Sequence, residues 1–136
     1  MSLASGDEIR VVFSVDVEEE GLFSGRYDAR AAGVSNVSAL RRLEFVTREF
    51  GVPLTLLATW PVLADAACAA ELRRWQDGLG AEIGLHLHPW NTPPLANNAP
   101  GLQLSESMPE GVLDAKLATL ADAVAAVSGR RAVSFR

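Results

Sequence analysis

The sequence predicts an α/β fold in which about four parallel strands alternate with helices. Short apolar runs rich in β-branched residues alternate with longer segments of helical periodicity. No hairpin signature separates successive strands, so each strand is expected to reach the next through a helix and to run parallel to it. With 136 residues, 49% of them hydrophobic and 21% charged, the chain has the size and balance of one globular domain.

Four segments are predicted to be strands. The first, Ile9 to Glu18, begins as an almost continuous apolar run, which is typical of a strand covered on both faces. The second runs from Pro53 to Trp60 and the third from Ala81 to His88. The fourth covers Ala132 to Arg136, where the sequence stops.

Three segments carry apolar residues at helical spacing. They are Asn36 to Phe50, Ala66 to Leu79 and Val112 to Val127. The first two are each followed by glycine, the residue most often found just past a helix end. The stretch from Pro89 to Gly111 is rich in Pro, Asn, Gly and Ser and is long for a connector, which indicates a functional or mobile loop.

Charge and composition exclude several classes of partner. The net charge of -5 comes without any run of Lys or Arg, so nucleic acid is not an expected partner. No apolar run approaches the ~20 residues that span a bilayer, and the first ten residues lack the apolar core of a signal peptide, so we expect a cytoplasmic protein with no membrane partner. The single cysteine, Cys68, excludes a Cys-based zinc cluster and is expected to be buried and inert.

Polar residues at the ends of the first and third predicted strands form the candidate site. Side chains alternate along a strand, so His86 and His88 share one face, and so do Asp16 and Glu18. Parallel strands end at the same edge of a sheet, where the four side chains would converge. Two buried carboxylates repel each other, and a divalent cation relieves that repulsion. Two imidazoles and one carboxylate are the ligand set of a hydrolytic zinc-type site, and the second carboxylate could take a proton from water.

Simpler interpretations remain open for these and neighbouring residues. A histidine near a strand end is more often structural than a ligand, and a His-x-His pattern alone is weak. Glu19 and Glu20 are predicted to be solvated loop charges. Trp60 and Trp90 each follow a predicted strand, and they either bind substrate in a sugar-sized cleft or cap the core.

The sequence resembles the polysaccharide deacetylase family, the NodB-homology domain of carbohydrate esterase family 4. The resemblance lies in FSVDVEE (Phe13 to Glu19), EIGLHLHPW (Glu82 to Trp90) and VSFR (Val133 to Arg136). It implies that residues 1–136 form a single domain, a partial (β/α) barrel of the polysaccharide-deacetylase type. It also implies a hydrolase that removes N- or O-linked acetyl groups from a saccharide with a divalent metal, zinc being the expected one. Some relatives instead cleave non-peptide C–N bonds in small molecules.

The resemblance also implies roles for individual residues. Asp16 matches the general base, and Arg136 matches the arginine that orients it. Glu18 and His86 match metal ligands. The family's usual spacing would place the second histidine ligand where Trp90 stands, so His88 must take that role from a different geometry. Both histidines of the chain are then ligands, and the histidine that protonates the leaving group in the family has no counterpart.

Four strands cannot close a barrel that needs about seven or eight. We therefore expect the chain to be part of a longer enzyme, with its domain incomplete at the C-terminus, or a homo-oligomer assembled from half-barrels. The competing hypothesis is a non-catalytic oligomerising or carbohydrate-binding module that kept the fold. A third hypothesis takes His-x-His from the amidohydrolase superfamily, where the pair ends the first strand rather than the third.

Overall fold

A parallel sheet lies at the centre of the molecule. The computed structural model describes residues 10–25, 27–30, 33–95 and 104–136. Within these ranges the sheet has three strands in the order β1 (Phe13–Val17), β2 (Leu54–Ala58) and β3 (Glu82–Leu85). A parallel bridge from Phe135 to Leu85 adds the last segment of the chain beside β3. The predicted α/β class is therefore confirmed with three parallel strands, whereas the fourth strand predicted at Ala132 to Arg136 is present only as this bridge. The partial barrel stays a prediction.

Helices connect the strands. In the described part of the chain they are α1 (Glu44–Phe50), α2 (Trp60–Ala64), α3 (Ala66–Leu79) and α4 (Glu110–Ser128), with 3-10 turns at Leu22–Ser24, Ser35–Leu43 and Ser105–Ser107. The predicted bounds of α3 are confirmed, and α4 extends slightly beyond its prediction. The helix predicted from residue 36 to residue 50 is 3-10 over its first half, where Asn, Val and Ser have low helix propensity.

Several predicted strand bounds are wrong. Trp60 begins α2 instead of ending β2, because Pro61 fits the first turn of a helix, where its missing N–H is not needed. β3 ends at Leu85, three residues before the predicted end. Backbone pairing nevertheless continues, since the N–H of His86 donates to Ala58 at 3.0 Å. The first strand begins at Phe13 and ends at Val17, so the described residues 10–12 and Glu18 of the predicted strand lie outside it. Ile9 lies outside the described residues.

The helices cover one face of the sheet and form the core with it. Its fully buried side chains include Leu56, Leu72, Trp75, Leu120 and Val124. On the opposite face Gly84 faces the last segment of the chain. A Cβ there would collide with the Ser134 hydroxyl and lie 2.7 Å from Leu57 Cδ2. Glycine therefore lets that segment approach closely enough to pair with β3.

The carboxyl ends of the three strands are level with one another. Val17 is paired with Ala58, and Ala58 with Leu85. The hydrogen bonds continue one residue further, because Thr59 N donates to Val17 at 3.1 Å. The segments that follow the strands, beginning at Glu18, Thr59 and His86, consequently start at one edge of the sheet.

Both outer edges of the sheet expose apolar side chains. Val11 and Val12 precede β1, and Val133 and Phe135 lie beyond β3. All four are more than half exposed, with values of 68%, 76%, 86% and 61%. The predicted homo-oligomer or longer chain would cover such residues, and it stays a prediction.

The structure also bears on the predictions about the single cysteine and about membrane-spanning segments. Cys68 is buried as predicted, and burial raises the pKa of its thiol to about 11. Among the helices that the structure describes, none has the length and apolar character needed to cross a bilayer.

Candidate metal centre

Three predicted ligands meet at the carboxyl edge of the sheet. One donor atom each from Glu18, His86 and His88 lies within 4.8 Å of the other two. Glu18 Oε2 is 3.3 Å from His88 Nε2 and 3.7 Å from His86 Nδ1. Ligand atoms about 2.0–2.1 Å from a tetrahedral zinc ion stand roughly 3.3 Å apart. These separations match that spacing, and the cluster could hold a metal ion.

An unsatisfied nitrogen supports this fit. His86 Nδ1 is buried and makes no hydrogen bond with any residue that the structure describes. Buried polar atoms are nearly always satisfied, so an isolated one calls for a specific explanation. Nδ1 faces Glu18 Oε2 across a gap too long for a hydrogen bond, and a cation between them would satisfy both atoms.

Asp16 lies beside the cluster rather than within it. Its Oδ1 is buried, has no hydrogen bond within the described residues, and is 3.9 Å from His86 Nδ1. Its Oδ2 lies 3.4 Å from Nε of Arg136, whose side chain is largely exposed. The structure therefore places the predicted base next to the three ligands and the predicted orienting arginine on its far side.

The electrostatics of the cluster also favour a cation. Burial lowers the pKa of His86 to about 4, and His88 adds to this shift, so His86 is neutral at physiological pH. Its contacts with Asp16 and Glu18 are therefore not ion pairs. Burial raises the pKa of Glu18 against the opposing effect of His88, and the nearby carboxylates of Asp16 and Glu19 raise it further. The cluster has lone pairs and negative charge in excess of positive charge.

Glu19 is the main residue of the candidate site that the sequence analysis missed. It was predicted to be solvated, but it is buried, with 4% of its surface exposed. Its Oε1 lies 2.8 Å from His88 Nδ1 and accepts from Asn91 Nδ2 at 2.5 Å, while Oε2 accepts from Thr59 Oγ1 at 2.9 Å. Burial alone would raise the pKa of Glu19, but the hydrogen bonds with His88 and Thr59 outweigh it and lower the pKa to about 2.

A signal for this burial was present in the sequence. Residues 15, 17 and 19 have the same parity, and Val15 and Val17 both pack against the core. The alternation that placed Asp16 and Glu18 on one face therefore points Glu19 to the helix-covered face. Glu20 differs, since its carboxylate accepts from Ser35 Oγ at 2.6 Å at the protein surface.

The two predicted substrate-binding tryptophans have different surroundings. Trp90 stacks on the His88 ring, with centroids 4.3 Å apart. The ring of Tyr27, which the sequence analysis did not single out, has its centroid 4.7 Å from that of Trp90. Trp60 instead packs against the hydrophobic core. The structure thus brings Trp90 to the candidate site and favours core capping for Trp60.

A buried lysine holds the loop that follows β3. Lys116, in α4, is fully buried, and its ammonium donates to Thr92 O at 2.6 Å and Pro94 O at 2.8 Å. Thr92 Oγ1 in turn donates to His88 O at 2.9 Å. Because charge-assisted hydrogen bonds are strong, α4 anchors the loop on which His88 and Trp90 lie.

A small cavity lies beside the carboxylates. It has a volume of about 210 Å³ and is lined by Asp16 and Glu18 and by residues of the Ser35–Leu43 segment, including Val37, Leu40 and Leu43, but by neither histidine. A second cavity, of about 460 Å³, lies between that turn and the start of α3 and is lined by neither histidine nor by Asp16 or Glu18.

Comparison of the chain with known protein families, with curated proteins and with solved structures found no match. The resemblance to polysaccharide deacetylases therefore rests on the three quoted motifs. What the site can do must be argued from its own geometry.

Proposed function

We propose that the chain is a metal-dependent hydrolase that removes N- or O-linked acetyl groups from a saccharide. The observation that carries this proposal is the cluster of Glu18, His86 and His88 with the separate carboxylate of Asp16 beside it. Hydrolytic zinc sites combine three such protein ligands with a neighbouring proton acceptor. Zinc is the proposed metal, because imidazole ligands suit zinc whereas magnesium and calcium prefer oxygen alone.

The metal ligands and Asp16 have different roles in the proposed hydrolysis. A bound divalent ion would polarise the acetyl carbonyl and make water more acidic. Asp16 accepts the proton as the water oxygen adds to the acetyl carbon. The C–N or C–O bond then breaks, and the proton held by Asp16 becomes available to the leaving nitrogen or oxygen. The products are a free amine or hydroxyl and acetic acid, which ionises to acetate and a proton at neutral pH, so atoms and charge balance.

The small cavity supports an acetyl group as the unit removed. Asp16 and Glu18 line it together with apolar residues. Its volume of about 210 Å³ admits a two-carbon acyl group beside Asp16, since one water molecule occupies about 30 Å³. Trp90 stacks on His88 next to the cluster and is the aromatic residue proposed to contact a sugar ring there.

Release of acetate tests the proposal. Zinc-loaded protein is incubated with N-acetylglucosamine oligomers and with O-acetylated xylo-oligosaccharides, and free acetate is measured. Asp16→Asn should retain metal and lose about 10²–10⁴ of the rate, the usual contribution of a general base. Asp77→Asn, an exposed position on α3, is the matched control and should keep the wild-type rate.

Other results would replace the proposal. Sugar binding without acetate release by the wild type would favour a carbohydrate-binding module that kept the fold. Hydrolysis of small amides but of no acetylated sugar would favour a hydrolase of non-peptide C–N bonds in small molecules. An Asp16→Asn variant with the wild-type rate would exclude Asp16 as the base.

A further inference from the structure

We propose that Glu19 is a positioning residue for the metal centre: its buried carboxylate holds His88 with the proton on Nδ1, so that Nε2 presents its lone pair toward Glu18. The metal-binding role of that lone pair rests on the proposed function. The protonation pattern of His88 does not, and it can be measured on the metal-free protein.

The contact between the two side chains defines the proton's position. Glu19 Oε1 lies 2.8 Å from His88 Nδ1, within hydrogen-bond distance. An ionised carboxylate only accepts hydrogen bonds, so Nδ1 must carry the hydrogen. In a neutral imidazole the other nitrogen, Nε2, then has a free lone pair. Nε2 is the atom that lies 3.3 Å from Glu18 Oε2.

Glu19 is held in place from three directions. His88 and Asn91 meet Oε1, and the Thr59 hydroxyl donates to Oε2. These partners come from the segments that follow β2 and β3, while Glu19 itself follows β1. The carboxylate therefore ties three strand ends together and has little freedom to turn away. Its orientation sets the orientation of the His88 ring.

This arrangement differs from the ordinary behaviour of histidine. In water a neutral imidazole prefers its proton on Nε2, which would point a hydrogen at Glu18 and block the lone pair. A buried carboxylate behind a histidine ligand reverses that preference, and such partners typically change metal affinity 10–100-fold. No equivalent partner holds Nδ1 of His86 among the described residues, because that atom itself faces the cluster.

The decisive measurement is the position of the proton. Long-range ¹H–¹⁵N correlation spectra of ¹⁵N-labelled, metal-free protein, recorded well above the ordinary pKa of histidine, distinguish the two tautomers. We expect His88 with the proton on Nδ1 in the wild type. Glu19→Ala should move the proton to Nε2, whereas Glu19→Gln, whose amide oxygen can still accept from Nδ1, should retain it. Glu20→Ala, next in the chain but remote from His88, is the control.

Zinc affinity gives a second and separate readout. Measured by competition with a chelating dye, the dissociation constant should rise 10–100-fold in Glu19→Ala, partly recover in Glu19→Gln and stay unchanged in Glu20→Ala. A wild-type His88 protonated on Nε2 would overturn the proposal whether or not any variant folds. A folded Glu19→Ala with an unchanged tautomer would overturn it too. Correct tautomers with no zinc binding would uphold the role of Glu19 and contradict the metal site instead.

Discussion

Two carboxylate clusters in this protein differ in how their negative charge is balanced. On the helical surface, Glu71 lies 2.6 Å from Arg74 and 2.9 Å from Arg41, and Arg74 also reaches Glu44 at 2.8 Å. The hydrogen bonds from Arg74 and Arg41 lower the pKa of Glu71 to about 2 against the opposing effect of burial. Arg48 also lies 3.0 Å from Glu44, so two carboxylates meet three guanidinium groups and no further charge is needed.

The cluster at the edge of the sheet has no such balance. Glu18 faces His86, which is neutral, and its pKa is raised by burial and by nearby carboxylates. The guanidinium of Arg136 lies beside Asp16, on the exposed side of the site. The comparison shows that the negative charges of the surface network are balanced by arginines within the described chain. The edge cluster instead has space and unbalanced negative charge for an added cation.

The largest expected effect is stabilisation by metal. Zinc at about 100 times its dissociation constant should raise the free energy of unfolding of the wild type by about 2.7 kcal/mol. Glu18→Ala should lose this gain, because one of the three ligands is gone. Glu71→Gln should start from lower stability and keep the gain. Urea unfolding with zinc or chelator measures the increments, and an equal gain in Glu18→Ala would exclude Glu18 as a ligand.

A smaller effect is expected when the surface network is broken. Glu71→Gln should cost about 1 kcal/mol at low salt and less at high salt, because partly exposed ion pairs are screened. The pKa of Glu71 is lowered from 4.5 to about 2, so its contribution is present above about pH 4.5 and is lost as the pH falls toward 2. Urea unfolding across this pH range checks the sign. A loss that is independent of both salt and pH would contradict the account.

The smallest effect should have the opposite sign. In metal-free protein the pKa of Glu18 is raised, so ionised Glu18 opposes folding at neutral pH, and lowering the pH relieves this cost. Glu18→Gln should therefore leave stability in chelator unchanged or slightly higher. A loss comparable with that of Glu71→Gln would show that the edge cluster is already balanced without a cation.

Strong local patterns were sufficient to predict most of the fold. The bounds of α3 follow from its apolar spacing and the glycine after it, and the structure confirms them. Strand alternation placed Glu18, His86 and His88 together, although β3 itself ends at Leu85. Side-chain alternation is imposed by the extended backbone, which continues past the last hydrogen-bonded residue of the strand. The predicted placement of the three side chains was therefore correct although the predicted strand end was wrong.

The remaining features of the fold and of the site depend on contacts between segments that are distant in the chain. Local sequence patterns do not predict such contacts. Lys116 reads as one polar position in an apolar helix, yet its ammonium binds carbonyl groups 22 and 24 residues earlier. Tyr27 contacts Trp90 from a loop with no periodicity. The parity argument extends to Glu19, but its place among three consecutive acidic residues predicts a solvated charge instead.

Metal content is the most direct test of the central claim that this edge of the sheet is a metal centre. Elemental analysis of purified wild type and of the double variant His86→Ala, His88→Ala, each checked by gel filtration and circular dichroism, should find about one zinc-like ion per wild-type chain, as expected for a single site with three protein ligands. The folded double variant should contain almost none. A well-folded wild type that binds no divalent metal, or a double variant that binds as much as the wild type, would contradict the claim.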